Sequence, residues 1–441
     1  MNSFLFDDFN TLSPAAWKQK IQVDLKGADY NDTLLWKTNE GIVVRPFYSK
    51  EDRNDVDIDL PKKGFNICQS IFVDDVPIAN KLAINALKRG ANSIQFKANK
   101  SFDYTSLLRG INLSDTILYF NLNFLNSDFV LKLNEFCKNN NCYFQIDIIG
   151  HIAETGNWYT NLNSDINEVK KFTGSVKNSI SVNVSLYQNA GASIVQELAY
   201  SLAQTNEYIE LYGNSVANKI HYIFSVSSNY FFEIAKLRAF RILHKSLLKE
   251  LGVESQTAHL FSQPSLRNKT IYDYNVNMLR TTSECMSAIL GGSDTVSNVS
   301  YDTLYNKSND FGERIARNQL LILQKEVYLQ EAQSFADGAY YVESITKQLA
   351  ERALEIFKEI EKSGGFLKQL KSGVIQKKIQ DSAQKEQQQF DSNQITLLGT
   401  NKLPNRNDRM KDTLEIYPFF KKETFKNINS PNPPNKALRA T

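Results

Sequence analysis

The chain is poor in the residue types that most often carry chemistry or fix a compartment. Its 441 residues include four cysteines (Cys68, Cys137, Cys142, Cys285) and four histidines (His151, His221, His244, His259). So few scattered cysteines suit reduced thiols in a cytoplasmic protein, not a disulfide framework. Cys137 and Cys142 lie close together, but no second pair or histidine group completes a zinc-type spacing. Few histidines also leave few candidates for general acid–base work. No apolar run reaches the ~18 residues of a membrane span. The opening MNSFLFDDFNTLSPAAWKQK carries acids where a signal peptide carries bases. A formal net charge of only +3 argues against a dedicated nucleic-acid binder. Between Arg109 and Arg238 there is no arginine at all.

What is present is alternation. From about residue 65 to 300, short β-rich runs alternate with helical patterns. The strand candidates are NICQSIFV (66–73), SIQFKA (93–98), TILYFNL (116–122), YFQIDII (143–149), SISVNVS (179–185), NKIHYIFSV (218–226), AHLFS (258–262) and a weak run in SDTVSNVS (293–300). Several are almost continuously apolar, as strands covered on both faces are. Ile194, Val195, Leu198 and Leu202 follow helical spacing, as do Ile234, Leu237, Leu243 and Leu247, the latter stopping at Gly252. Eight strands alternating with helices predict an α/β fold, a (β/α)8 TIM-type barrel, with an open doubly wound sheet as the competing arrangement.

The ends differ. Residues 1–60 read as an N-terminal extension and residues 61–402 as the barrel with its closing helices. Ile345, Leu349, Ala353, Ile356 and Ile360 form one apolar stripe that ends before Gly364-Gly365. A further helix is predicted within 371–390. Residues 403–441 read as a basic, proline-containing tail, mobile or docked on a partner.

Several stretches resemble the adenosylcobalamin-dependent acyl-CoA mutases, methylmalonyl-CoA mutase among them. They are LLWKTNEGIVVRPFYSKED (34–52), QNAGASIVQELAYSLA (188–203), FFEIAKLRAFRIL (231–243), NVNMLRTTSECMSAILGGSDTVSN (275–298), RIARNQLLILQKE (314–326) and DGAYYVESITKQLAERALEIFKEIEKSGGF (337–366). QLKSGVIQKKIQ and LLGTNK continue the match, which spans most of residues 15–402. The resemblance implies a barrel that threads a CoA ester along its axis beneath a cobalamin-binding domain, with the cofactor supplying the radical chemistry.

The same resemblance marks departures. At the family's Tyr-His pair stand Ser185 and Leu186, and its first-strand tyrosine falls at Ser70. Two family histidines fall at Phe261 and about Ser297. A hydroxymethyl or isobutyl group cannot do the work of a phenol or imidazole. The arginine that clamps the substrate carboxylate belongs to the 109–238 interval, where this chain has none. No histidine lies two residues after an aspartate, as the family's cobalamin ligand does, and too few residues follow the closing segment for a flavodoxin-like domain. The expectation is a chain without catalytic, cofactor or metal residues of its own. It would be the non-catalytic small subunit of a heterodimer whose catalytic large subunit binds adenosylcobalamin. Alternatives are an acyl-CoA-binding or regulatory barrel, or a mutase barrel served by a separate cobalamin-binding chain. Phe96, Tyr119, Phe120, Phe144, Tyr222 and Phe224 are expected to include enough inward-pointing side chains to close the axial channel.

Overall fold

Eight parallel strands wrap into one sheet in the computed structural model, which describes residues 12–53, 58–61, 64–138, 141–254, 256–331, 334–405, 407–409 and 414–416. In chain order they are β1 (Asn66–Phe72), β2 (Ser93–Ala98), β3 (Ile117–Leu122), β4 (Cys142–Gln145), β5 (Ile180–Asn183), β6 (Ile220–Val226), β7 (Leu260–Pro264) and β8 (Thr295–Val296). Every paired neighbour is parallel, and β8 pairs with both β1 and β7. The remaining seam, between β4 and β5, is bridged by backbone hydrogen bonds from Phe144 N to Asn178 O and from Ser181 N to Ile146 O, each 2.9 Å. The fold is therefore a nearly closed TIM-type α/β barrel with helices outside, not an open sheet.

Alternation along each strand divides the side chains between two environments. Ile67, Ile94, Phe96, Leu118, Phe120, Phe144, Val182, Tyr222, Phe224, Leu260 and Val296 belong to the large core between sheet and helices. Cys68, Tyr119, Ile223 and Phe261 form a separate cluster inside the barrel. This corrects the expectation for the bulky strand residues. Of the six, only Tyr119 points inward; the other five anchor helices.

The helical spacing read from the sequence holds for Ile194–Tyr212, Tyr230–Glu250 and Tyr340–Lys362. Of the 345–360 stripe, Ile345, Leu349, Ala353 and Ile360 are buried. The run at 143–149 ends sooner than expected, because Asp147 accepts the amide of Gly150 and caps a helix over Ile148–Thr155. Likewise SISVNVS leaves the strand at Asn183, and a short helix begins at Ser185. A closing helix, Val374–Asp391, lies across the turn at Gly191. Gly191 has φ +100°, and a Cβ there would sit 2.5 Å from the Cβ of Ala383, so the approach requires glycine. Arg238 meets Asp337 at 2.7 Å, and Arg241 holds Ala258 O, Gly292 O and Asp294, which makes both structural. Most of the basic tail lies outside the described residues. Among the described residues, no helix is long and apolar enough to cross a membrane.

Candidate functional site

A TIM-type barrel places its working residues at the C-terminal ends of the strands and along the axis above the packed floor. Here the axis is spanned by rings. Tyr119 on β3 meets Phe261 on β7, the opposite wall, with centroids 4.8 Å apart. Tyr143 on β4 stacks on His259, just before β7, at 4.2 Å and on Tyr119 at 5.0 Å. The Tyr119 hydroxyl bonds His259 Nε2 at 2.8 Å and Thr295 Oγ1 at 2.7 Å. His221 on β6 sets its edge against Tyr143 at 5.3 Å.

Burial governs the charge state of this plug. It lowers the pKa of His259, with Asp294 opposing, and lowers that of His221 further, assisted by His259. Both imidazoles are neutral at pH 7. The Tyr119 phenol is driven upward by burial and by Tyr143, and the Cys68 thiol is pushed up to about 12 by burial. Each of these shifts opposes ionisation, so the rings pack against one another as neutral groups.

Above the rings lies a polar belt. Ser70 donates to Gln95 Oε1 and contacts Ser297 Oγ at 3.1 Å, while Gln95 Nε2 donates to Gln145 Oε1 at 2.6 Å. Two expected positions, Ser70 and Ser297, are thus brought together through their hydroxyls. Phe261 lies below them in the ring stack. Ser185 is buried and donates to Asn183 Oδ1, while Leu186 lines a small cavity of about 50 Å³ at the mouth with Asn121, Gln145, Asp147 and His151. Asp147 is occupied: it accepts from Gly150 N, Gln204 and Tyr208 at 2.6 Å each and from Asn183 N at 2.8 Å. His151 stacks on Tyr159 at 3.8 Å, and burial takes its pKa down to about 4. Lys97 is the cation at an interior-facing strand position, and burial lowers its pKa.

Sequence reasoning missed Tyr143, His221 and His259 as interior residues. The signal was available in parity: Gln95, Lys97, Ser181, Asn183 and Ser225 are polar and face the same side as the rings of their strands or partner strands.

Comparison with known proteins places the chain. The family model described as methylmalonyl-CoA mutase matches residues 136–432, most of the chain. The chain belongs to the methylmalonyl-CoA mutase family. It is 32% identical to the methylmalonyl-CoA mutase small subunit of Porphyromonas gingivalis, over 93% of this chain and 73% of that protein. Against the large subunit of the same organism it is 29% identical, over 81% of this chain and 49% of the relative. Against the methylmalonyl-CoA mutase of Rhizobium meliloti it is 35% identical, over 54% of this chain and 35% of the relative. It therefore spans about half or less of the large subunit and of the Rhizobium enzyme.

The family's chemistry is that of an isomerase dependent on adenosylcobalamin, and the described residues of this chain do not fit that cofactor. The lower ligand that the family resemblance implies is an accessible imidazole. His221 and His259 are inside the barrel plug, His244 is buried against Tyr222 and Phe240, and His151 stacks on Tyr159 beside a cavity of only about 50 Å³, far too small for a corrin.

Proposed function

We propose that this chain is the non-catalytic small subunit of a heterodimeric methylmalonyl-CoA mutase. The catalytic large subunit would bind adenosylcobalamin and interconvert methylmalonyl-CoA and succinyl-CoA. The observation that carries the reading is the ring stack across the axis. Tyr119, Tyr143, His259 and Phe261 fill the axis, along which the family resemblance would thread a pantetheine arm. Around it, the positions where the family keeps polar aromatic groups hold Ser70, Ser185, Leu186, Phe261 and Ser297, and no arginine faces the mouth from residues 110–237. A barrel built this way contributes surface, and binding to the folded state stabilises both partners by mass action.

The resemblance to both a small and a large subunit from one organism supports a two-chain assembly. In the N-terminal extension, residues 1–60, Trp17 and Trp36 are about half exposed and are candidate contacts. A groove of about 630 Å³ lined by Phe47, Tyr48, Phe231 and Tyr341 adjoins the extension. The barrel unit would run from 61 to 402, with the tail after it.

The test is co-purification and turnover. The native protein should elute with a mutase large subunit and show no turnover alone with adenosylcobalamin. Activity of the isolated chain, or of the chain with a bare cobalamin-binding domain, refutes the assignment.

A further inference from the structure

Away from the barrel axis, two contiguous cavities run beneath the closing helix. The larger, about 580 Å³, and the smaller, about 230 Å³, share Gln188, Ser227, Ser228, Arg267, Glu386 and Ile395. They lie where the loops after β5, β6 and β7 emerge, the face on which barrels build binding sites. One ion pair crosses the boundary between them. Arg267 Nε, on the loop after β7, donates to Glu386 Oε2, on the closing helix, at 2.6 Å.

The rest of that guanidinium is unused. Among the described residues its two terminal nitrogens take no hydrogen-bond partner, although the side chain is only 15% exposed. One of them packs over Gly191, 3.0 Å from where a Cβ would be. Ser227 and Ser228 line the same space, and their hydroxyls have no protein partner among the described residues. Gln188 spends its carbonyl oxygen on Ser265 and leaves its amide group toward the cleft. Arg267, Ser227, Ser228 and Gln188 therefore offer unused donors to one space.

The acids on the far wall of the larger cavity are already occupied. Glu40 accepts the amides of Ile194 and Val195 at 3.1 and 2.9 Å. Glu197 and Glu233 share the ammonium of Lys236 at 2.9 and 2.6 Å. Glu386, 45% exposed, is the carboxylate placed on Arg267, and it reaches there from the closing helix.

We propose that this cleft binds a small oxyanion group, carboxylate or phosphate, anchored on Arg267, and that Glu386 is its built-in competitor. An incoming oxyanion would take the planar two-nitrogen edge of the guanidinium, the geometry that favours bidentate recognition. Ser227, Ser228 and Gln188 would donate to its remaining oxygens. The cleft is separate from the axial plug, so the proposal stands independently of the subunit role.

The experiment is calorimetric titration of the intact protein, in the assembly in which it purifies, with inorganic phosphate and with acetate at constant ionic strength. We expect saturable binding on the order of millimolar to at least one. Which probe binds tells phosphate from carboxylate. Arg267→Gln should weaken binding at least about tenfold, a loss of about 1.4 kcal/mol. Glu386→Gln should tighten it about threefold or more, because the competitor's charge is gone. Both variants break the same strut, so a mere packing role would move them together. Absence of saturable binding in the native protein and in Glu386→Gln overturns the proposal, as does binding unchanged by Arg267→Gln.

Discussion

Lys236→Met probes the most concentrated charge in the molecule. The ammonium is fully buried and touches Glu197 Oε2 at 2.9 Å, Glu233 Oε2 at 2.6 Å and Ser225 O at 2.7 Å. Glu40 faces the same group of carboxylates from the turn between the paired strands Trp36–Lys37 and Val43–Val44. Methionine fills the same volume but leaves two buried carboxyls without a cation, which typically costs about 3–5 kcal/mol. The pH dependence follows from Glu197. Burial, with Glu233 and Glu40 adding to it against Lys236, raises its pKa from 4.5 to about 8. Between those values the folded state keeps a proton that the unfolded state has lost. Stability from this group is therefore full below about pH 4.5 and declines as pH rises to about 8, at no more than about 1.4 kcal/mol per unit. In Lys236→Met the opposing ammonium is gone, so the decline should extend above pH 8. Urea midpoints at pH 6 and pH 9 measure both effects, and the deficit should be larger at pH 9. Adding Glu233→Gln to the variant should recover part of it. A deficit below about 1 kcal/mol, or one equal at the two pH values, would refute the account of this cluster.

Other changes have equally definite outcomes. Gly191→Val places a branched side chain at φ +100° and against Ala383, so the closing helix should detach and proteolysis within 374–391 should accelerate; unchanged cleavage would contradict the packing. Phe261→Ala empties the centre of the ring stack and should lower stability by about 3–5 kcal/mol, read from denaturant midpoints. Asp147→Asn replaces a carboxylate oxygen that accepts several hydrogen bonds with a competing donor and should cost about 1–3 kcal/mol, without affecting partner binding in a pull-down. Ser185→Tyr combined with Leu186→His should give no turnover in the isolated chain, because the rings across the axis remain; measurable isomerisation would mean that the plug yields to substrate.

The strands were legible from sequence and their faces were not. SIQFKA begins and ends where β2 does, and NICQSIFV overruns β1 by one residue. Inside and outside were confused because large residues sit side by side: Tyr119 beside Phe120, Tyr143 beside Phe144, His221 beside Tyr222. Where both members of a pair are bulky, hydrophobic alternation carries no information about direction. Polarity does. Once the register is known, following Gln95 through its partner Tyr119 to Tyr143, and Ser181 to His221, traces the inner face across the sheet. Two strand ends were overrun for a different reason. Capping by Asp147 and the turn into Ser185 are local, and they override the apolar runs on either side. The cleft at Arg267 was not legible at all, because its two defining residues are 119 positions apart and meet only when the closing helix folds back.

The division of the strands into two faces explains how a barrel can keep its architecture with its axis filled. The helices are held by the outer face, where Phe96, Phe120, Phe144, Tyr222 and Phe224 all sit in the main core. The inner face forms its own cluster, linked to itself by ring contacts and by hydrogen bonds such as Tyr119 to Thr295. The two clusters share no packed side chains, so energetic effects of substitutions far apart on opposite faces should be close to additive. A phenol or an imidazole can therefore occupy the path of a substrate while the scaffold around it, and the surfaces it offers to other chains, stay as they are. In this chain the polar belt above the rings bonds mainly to itself, through Ser70, Gln95 and Ser297.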